Sequence, residues 1–96
     1  MSEALDALTV NWEEEGELKV KELKRYVLSK GAWATLMFLY QEIDPKTKEY
    51  REPKISVRRY KKRGEQYLPQ SKFNISSEAQ AKEIARVIHE WYPSAA

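Results

Sequence analysis

Pro53-Lys54-Ile55-Ser56-Val57-Arg58-Arg59-Tyr60-Lys61-Lys62-Arg63-Gly64 is the stretch on which the fold turns. It alternates like a β-strand, grows more basic along its length and ends at a glycine turn signal. On a pleated strand Ile55 and Val57 point to one face, and Ser56, Arg58, Tyr60 and Lys62 to the other. The aliphatic face is expected to be buried and the basic, aromatic face to stay open. An arginine, a ring and a lysine in a row suit a single-stranded nucleic acid: cations neutralise phosphates and a flat ring stacks on an unpaired base. Arg58 and Tyr60 are therefore candidates for cation and stacking platform, and Lys61, Lys62 and Arg63 for phosphate contacts at the rim. The plainer alternatives are an exposed polar strand face, with Tyr60 packing across strands, and a solvated basic turn.

Working outward, residues 18–28 alternate as a strand, Ser29-Lys30-Gly31 signals a turn, and residues 33–43 form a second strand whose middle is apolar on both faces. On that strand Phe38 and Tyr40 share one face, Met37 and Leu39 the other. The aliphatic pair is assigned beneath a helix and the aromatic pair to an open groove; the alternative puts the aromatics in the core or at a dimer interface. Trp33, just after the turn, is placed either to stack on a base or to cap the core. Asp44 to Pro53 is a polar loop bracketed by prolines, residues 54–62 are the basic strand, and residues 72–75 are a short fourth strand. A helix is predicted over 77–92. Ser77 and Gln80 fit a capping box, Ala81, Ile84, Ala85, Ile88, Trp91 and Tyr92 make one apolar face, and Pro93 ends it. The fold expected is α+β, four strands and then one helix, β-β-β-β-α. Residues 18–93 form the single domain, 1–17 an acidic N-terminal arm that is partly disordered or loosely docked, and 94–96 a tail. A single helix covers only part of such a sheet. Trp91 and Tyr92, with Ile84 and Ile88 on the same stripe, are candidates for core or dimer contacts.

Net charge is +2, but residues 1–18 hold six acids and no base, so residues 19–96 carry +8. Residues 46–72 hold ten bases against three acids. That imbalance suits a polyanion-binding body with an acidic arm, which folds back on the groove, recruits a basic partner or only aids solubility. With no cysteine and one histidine, His89, disulfides, thiolate or multi-histidine metal sites and cysteine nucleophiles are excluded. No nucleophile elbow or Gly-rich motif accompanies His89, so no enzymatic activity and no cofactor are expected. No apolar run is long enough to span a bilayer and no secretory pattern is seen, so an intracellular protein is expected.

Order and local motifs together resemble the Positive Cofactor Four transcriptional coactivator family and its small bacterial relatives, over about residues 20–92. Ile55-Ser56-Val57-Arg58-Arg59-Tyr60 looks like the family's third strand, with Arg58 at its DNA-facing arginine. Lys72-Phe73-Asn74-Ile75-Ser76 looks like its fourth strand, with Lys72 at a DNA-contacting lysine. Ser76-Ser77-Glu78-Ala79-Gln80 resembles the start of its helix, and Lys30-Gly31-Ala32-Trp33 the Lys-Gly-Trp turn of bacterial members. Phe73 stands where the family has glycine, and the 44–53 loop is long. Whirly and Pur proteins have related units. The resemblance implies a curved four-stranded antiparallel sheet followed by one helix, a homodimer formed on the helical side, and a groove for single-stranded DNA. The function expected is therefore a single-stranded DNA-binding protein with little sequence preference, a coactivator-like accessory in transcription, replication or repair. The alternatives are a single-stranded RNA binder or chaperone, and a protein-interaction adaptor docking through Trp33, Phe38 and Tyr40.

Overall fold

A computed structural model describes residues 3–94. Residues 1 and 2 of the expected arm, and 95 and 96 of the expected tail, lie outside the described residues. The elements are α1 (Glu3–Asp6), β1 (Trp12–Glu14), β2 (Glu17–Ser29), β3 (Trp33–Glu42), β4 (Lys54–Arg63), β5 (Gln66–Ile75) and α2 (Glu78–Trp91). The strands form one antiparallel meander in the order β1-β2-β3-β4-β5, curled into a half-barrel. The expected four-stranded sheet is thus corrected to five strands. The extra strand lies inside the segment read as an arm. Glu15 and Gly16 both take positive φ and make a two-residue hairpin turn that pairs Glu14 with Glu17. A glutamate rarely adopts that conformation, so the sequence reads there as a breaker rather than a hairpin.

Irregularities set which side chains share a face. The pairing shifts between Glu22 and Lys24, so Leu23 is extra and the alternation of β2 changes phase. Glu22 opposes Tyr40 and Arg25 opposes Phe38, while Lys24 opposes Leu39 and Tyr26 opposes Met37. Simple alternation would have put Tyr26 on the same face as Glu22. β5 is one continuous edge strand, not a short piece at 72–75. Pro69 sits within it, opposite Tyr60, where the pairing with β4 shifts. The 44–53 loop is tied down: Asp44 Oδ1 accepts from the Lys46 and Thr47 amides, and the Tyr50 hydroxyl donates to the Leu18 carbonyl.

Two faces result. The inner face carries Ala34, Leu36, Phe38, Tyr40, Ser56, Arg58, Tyr60 and Lys72; the outer carries Trp33, Met37, Leu39, Ile55, Val57, Arg59, Lys61 and Phe73. Burial is the reverse of what the basic strand suggested. Phe38, Leu36 and Ser56 are fully buried and Tyr60 nearly so, whereas Ile55 and Val57 are only half-buried. The cause is the N-terminal segment, which crosses the inner face and sets Leu5 and Val10 into its core. Polar bonds fasten it to β2: Arg25 donates to the Leu5 and Leu8 carbonyls, Thr9 Oγ1 donates to Glu22 Oε1, and the Glu22 amide donates to Asn11 Oδ1. α2 is capped by Ser77, whose hydroxyl accepts from the Gln80 amide at 3.1 Å. None of its residues is buried.

Candidate nucleic-acid interface

The β2–β3 turn and the β4–β5 turn lie side by side at one end of the sheet. The Lys62 amide donates to the Ala32 carbonyl, and the Tyr67 hydroxyl donates to the Gly31 carbonyl at 3.0 Å. This end gathers Lys30, Trp33, Lys61, Lys62 and Arg63 from segments far apart in sequence. Trp33 pairs directly with Lys61, and Arg59 lies one row further along β4. The Arg59 guanidinium stands 4.5 Å from the Trp33 ring centre and the Lys61 ammonium 5.3 Å from it. Cations over an indole are held by its ring quadrupole and need no carboxylate. Trp33 remains 41% exposed, so the ring offers surface beside fixed positive charge.

Ion pairs form elsewhere: Glu17 with Lys19 and Lys48, Glu22 with Arg25, Asp44 with Arg51, Glu42 with Lys54, and further pairs along α2. Hydrogen bonds from Lys19 and Lys48 hold the Glu17 carboxyl below the usual carboxylate range. By contrast, among the described residues none of Lys30, Arg58, Arg59, Lys61, Lys62, Arg63 and Lys72 forms an ion pair with a carboxylate. Arg58 and Lys72 even oppose each other across β4 and β5. Like charges directly opposite destabilise a sheet, and an anion between them removes the penalty.

Arg58 is half-buried. Its Nε donates to Ser56 Oγ at 3.0 Å, and that hydroxyl donates to Asn74 Oδ1 at 2.7 Å. Burial pushes the Tyr60 phenol up, against the pull of nearby Arg58. The expected site residues therefore divide. Lys30, Trp33, Lys61, Lys62 and Arg63 come together at the hairpin end, whereas Arg58 and Lys72 oppose each other further along β4 and β5 on the inner face. Phe38, Tyr40 and Tyr60 are core residues under Leu5 and Val10, so their rings are closed to a base in this conformation. Ile84, Ile88 and Trp91 lie far along the chain on α2, and Tyr92 is its C-cap. Arg59 was missed, because alternation puts it on the aliphatic face of β4; only the density of bases around it pointed to it.

Comparison with family models, curated proteins and solved structures finds no match for this chain. No helix among the described residues is long and apolar enough to cross a membrane.

Proposed function

We propose that this chain binds single-stranded DNA with little sequence preference, as a non-enzymatic accessory in transcription, replication or repair. The observation that carries the reading is the cluster of cations without carboxylate partners around an exposed indole at the hairpin end. Lys30, Lys61, Lys62 and Arg63 take phosphates, Arg59 brackets the indole, and Trp33 stacks on an unpaired base. Arg58 and Lys72 extend the track onto the inner face. The likeness of the Ile55–Tyr60 and Lys72–Ser76 segments to the Positive Cofactor Four family supports the same reading. Stacking and phosphate contacts need no hydrogen bonds to base edges, which accounts for weak sequence preference.

The test is fluorescence anisotropy of a labelled 20-mer single strand, its duplex and the RNA equivalent in rising salt. Tighter binding to the DNA strand than to the duplex is expected. Engaging five of these cations predicts a log-log salt slope of about −3.5, at about 0.7 per phosphate. Equal binding to strand and duplex, or no binding at low salt, refutes the proposal. A clear preference for the RNA strand moves the assignment to RNA.

A further inference from the structure

Phe73 opposes Val57 on β4, and Val57 opposes Met37 on β3, so its ring stands on the outer face as the Trp33 ring does. It is 56% exposed with α2 in place. Arg59 lies between the two rings. It sits two residues from Val57 and two from Lys61 on β4, in the row formed with Thr35 and Ser71. Its guanidinium lies against the Trp33 ring, and among the described residues it has no carboxylate partner. Ring, cation and ring therefore follow one another across the outer face. β5 is the edge strand, and the residue beside Phe73, Lys72, turns to the inner face opposite Arg58.

We propose that Phe73 is a second stacking platform for the strand that stacks on Trp33. The strand runs over the outer face from Trp33 past Arg59 to Phe73, then crosses the β5 edge to Lys72 and Arg58. This rests on the reading that the chain binds single-stranded DNA, and it adds the face, the route and a second ring. The face differs from the one the family resemblance implies, which is the Arg58 side. On that side Phe38, Tyr40 and Tyr60 are sealed by Leu5 and Val10, so stacking falls to the outer rings. Phe73 is also this chain's own feature, since it stands where the family has glycine. Tyr26 shares its row and is 68% exposed, but the row between Tyr26 and Trp33 holds Ser29 and Thr35, which bring no charge to a phosphate. Charge continuity thus selects Phe73. Four residues of β4 separate the two rows, about 14 Å along the strand, and two strand spacings add about 10 Å across it. The rings therefore stand about 17 Å apart, which a stacked strand covers in about five nucleotides at about 3.4 Å each. A 20-mer reaches both.

The test is anisotropy of the labelled single-stranded DNA 20-mer with single variants of the full chain, each checked for folding by circular dichroism. Phe73→Ala is expected to weaken binding roughly 5- to 150-fold, the worth of one stacked base. Phe73→Leu keeps an apolar side chain without a flat ring and is expected to lose as much; Phe73→Trp is expected to bind at least as tightly as the parent. Tyr26→Ala is expected to leave Kd unchanged. Ultraviolet cross-linking of a strand carrying 5-iodouracil, read by mass spectrometry, is expected to place adducts on Trp33 and Phe73. Parent affinity in Phe73→Ala or Phe73→Leu overturns the proposal, as does an equal loss in Tyr26→Ala. Adducts on Phe38 or Tyr60 in place of Phe73 overturn the outer route. In each of these cases binding that still depends on Trp33 leaves the hairpin-end site standing. A parent chain that does not bind the strand at low salt overturns both.

Discussion

Replacing Leu5 by alanine is expected to cost about 2–3 kcal/mol of folding stability. Leu5 is 4% exposed and packs in the cluster of Val10, Leu36, Phe38, Tyr40 and Tyr60. Fully burying a leucine is worth about 1.5–3 kcal/mol, and the cavity left behind adds to the loss. The cost depends on how far the site collapses, and a segment lying on the surface of the sheet is expected to collapse in part, which sets the figure in the lower part of the usual Leu→Ala range. A domain of this size has on the order of 5–14 kcal/mol in all, so one side chain in a presumed arm would carry a large share. In a thermal melt the same loss lowers Tm by roughly 10–20 °C. The assay is urea unfolding followed by tryptophan fluorescence at fixed chain concentration, because association shifts apparent stability. Leu8→Ala, at a half-buried site, is the control and is expected to cost about 1 kcal/mol. A Leu5→Ala loss under about 0.5 kcal/mol, the size of an ordinary surface substitution, refutes the reasoning. It would mean that the segment does not seal the inner face in solution and that Phe38 and Tyr60 are open to ligand.

Trp33→Ala is expected to weaken single-strand affinity roughly 5- to 150-fold, the worth of about 1–3 kcal/mol per stacked base, with an unchanged circular dichroism spectrum; an unchanged Kd removes the indole from the interface. Lys62→Ala with Arg63→Ala is expected to flatten the log-log salt slope by about 1.4, read by anisotropy at several salt concentrations. Ser56→Ala leaves Arg58 Nε and Asn74 Oδ1 without the hydroxyl they share, and is expected to cost about 1–3 kcal/mol in urea unfolding. Burial raises the Tyr60 phenol above its unfolded value. The stability it lends is therefore whole below the ordinary phenol pKa of about 10 and is lost as pH rises through the raised one. Urea unfolding between pH 7 and 11 is expected to show that alkaline loss, and Tyr60→Phe to reduce it.

How much was legible depended on whether the deciding contact was local. α2 was plain because its cap is local: Ser77 and Gln80 lie three residues apart, and the apolar stripe repeats within each turn. The β2–β3 hairpin showed through Gly31, and β4 through its alternation. β1 was hidden because Glu15 occupies a conformation that its type seldom adopts. The face assignment of β2 was hidden because the extra residue at Leu23 changes the phase without any glycine or proline to mark it.

The candidate site divides along the same line. That residues 46–72 carry a surplus of bases, and that Arg58, Tyr60 and Lys62 share a face, follows from composition and the two-residue strand period alone. Which of those rings reaches solvent does not, because period says which side chains travel together and not what lies over them. That was decided by residues 5–10 crossing the inner face, with Arg25 holding the Leu5 and Leu8 carbonyls from 20 and 17 residues away. The same closure leaves Trp33, on the outer face, as the exposed aromatic beside the basic strand, and the register of β3 against β4 sets Arg59 over its ring. Such long-range coverage depends on the route of the chain, which tertiary packing sets and no local pattern encodes.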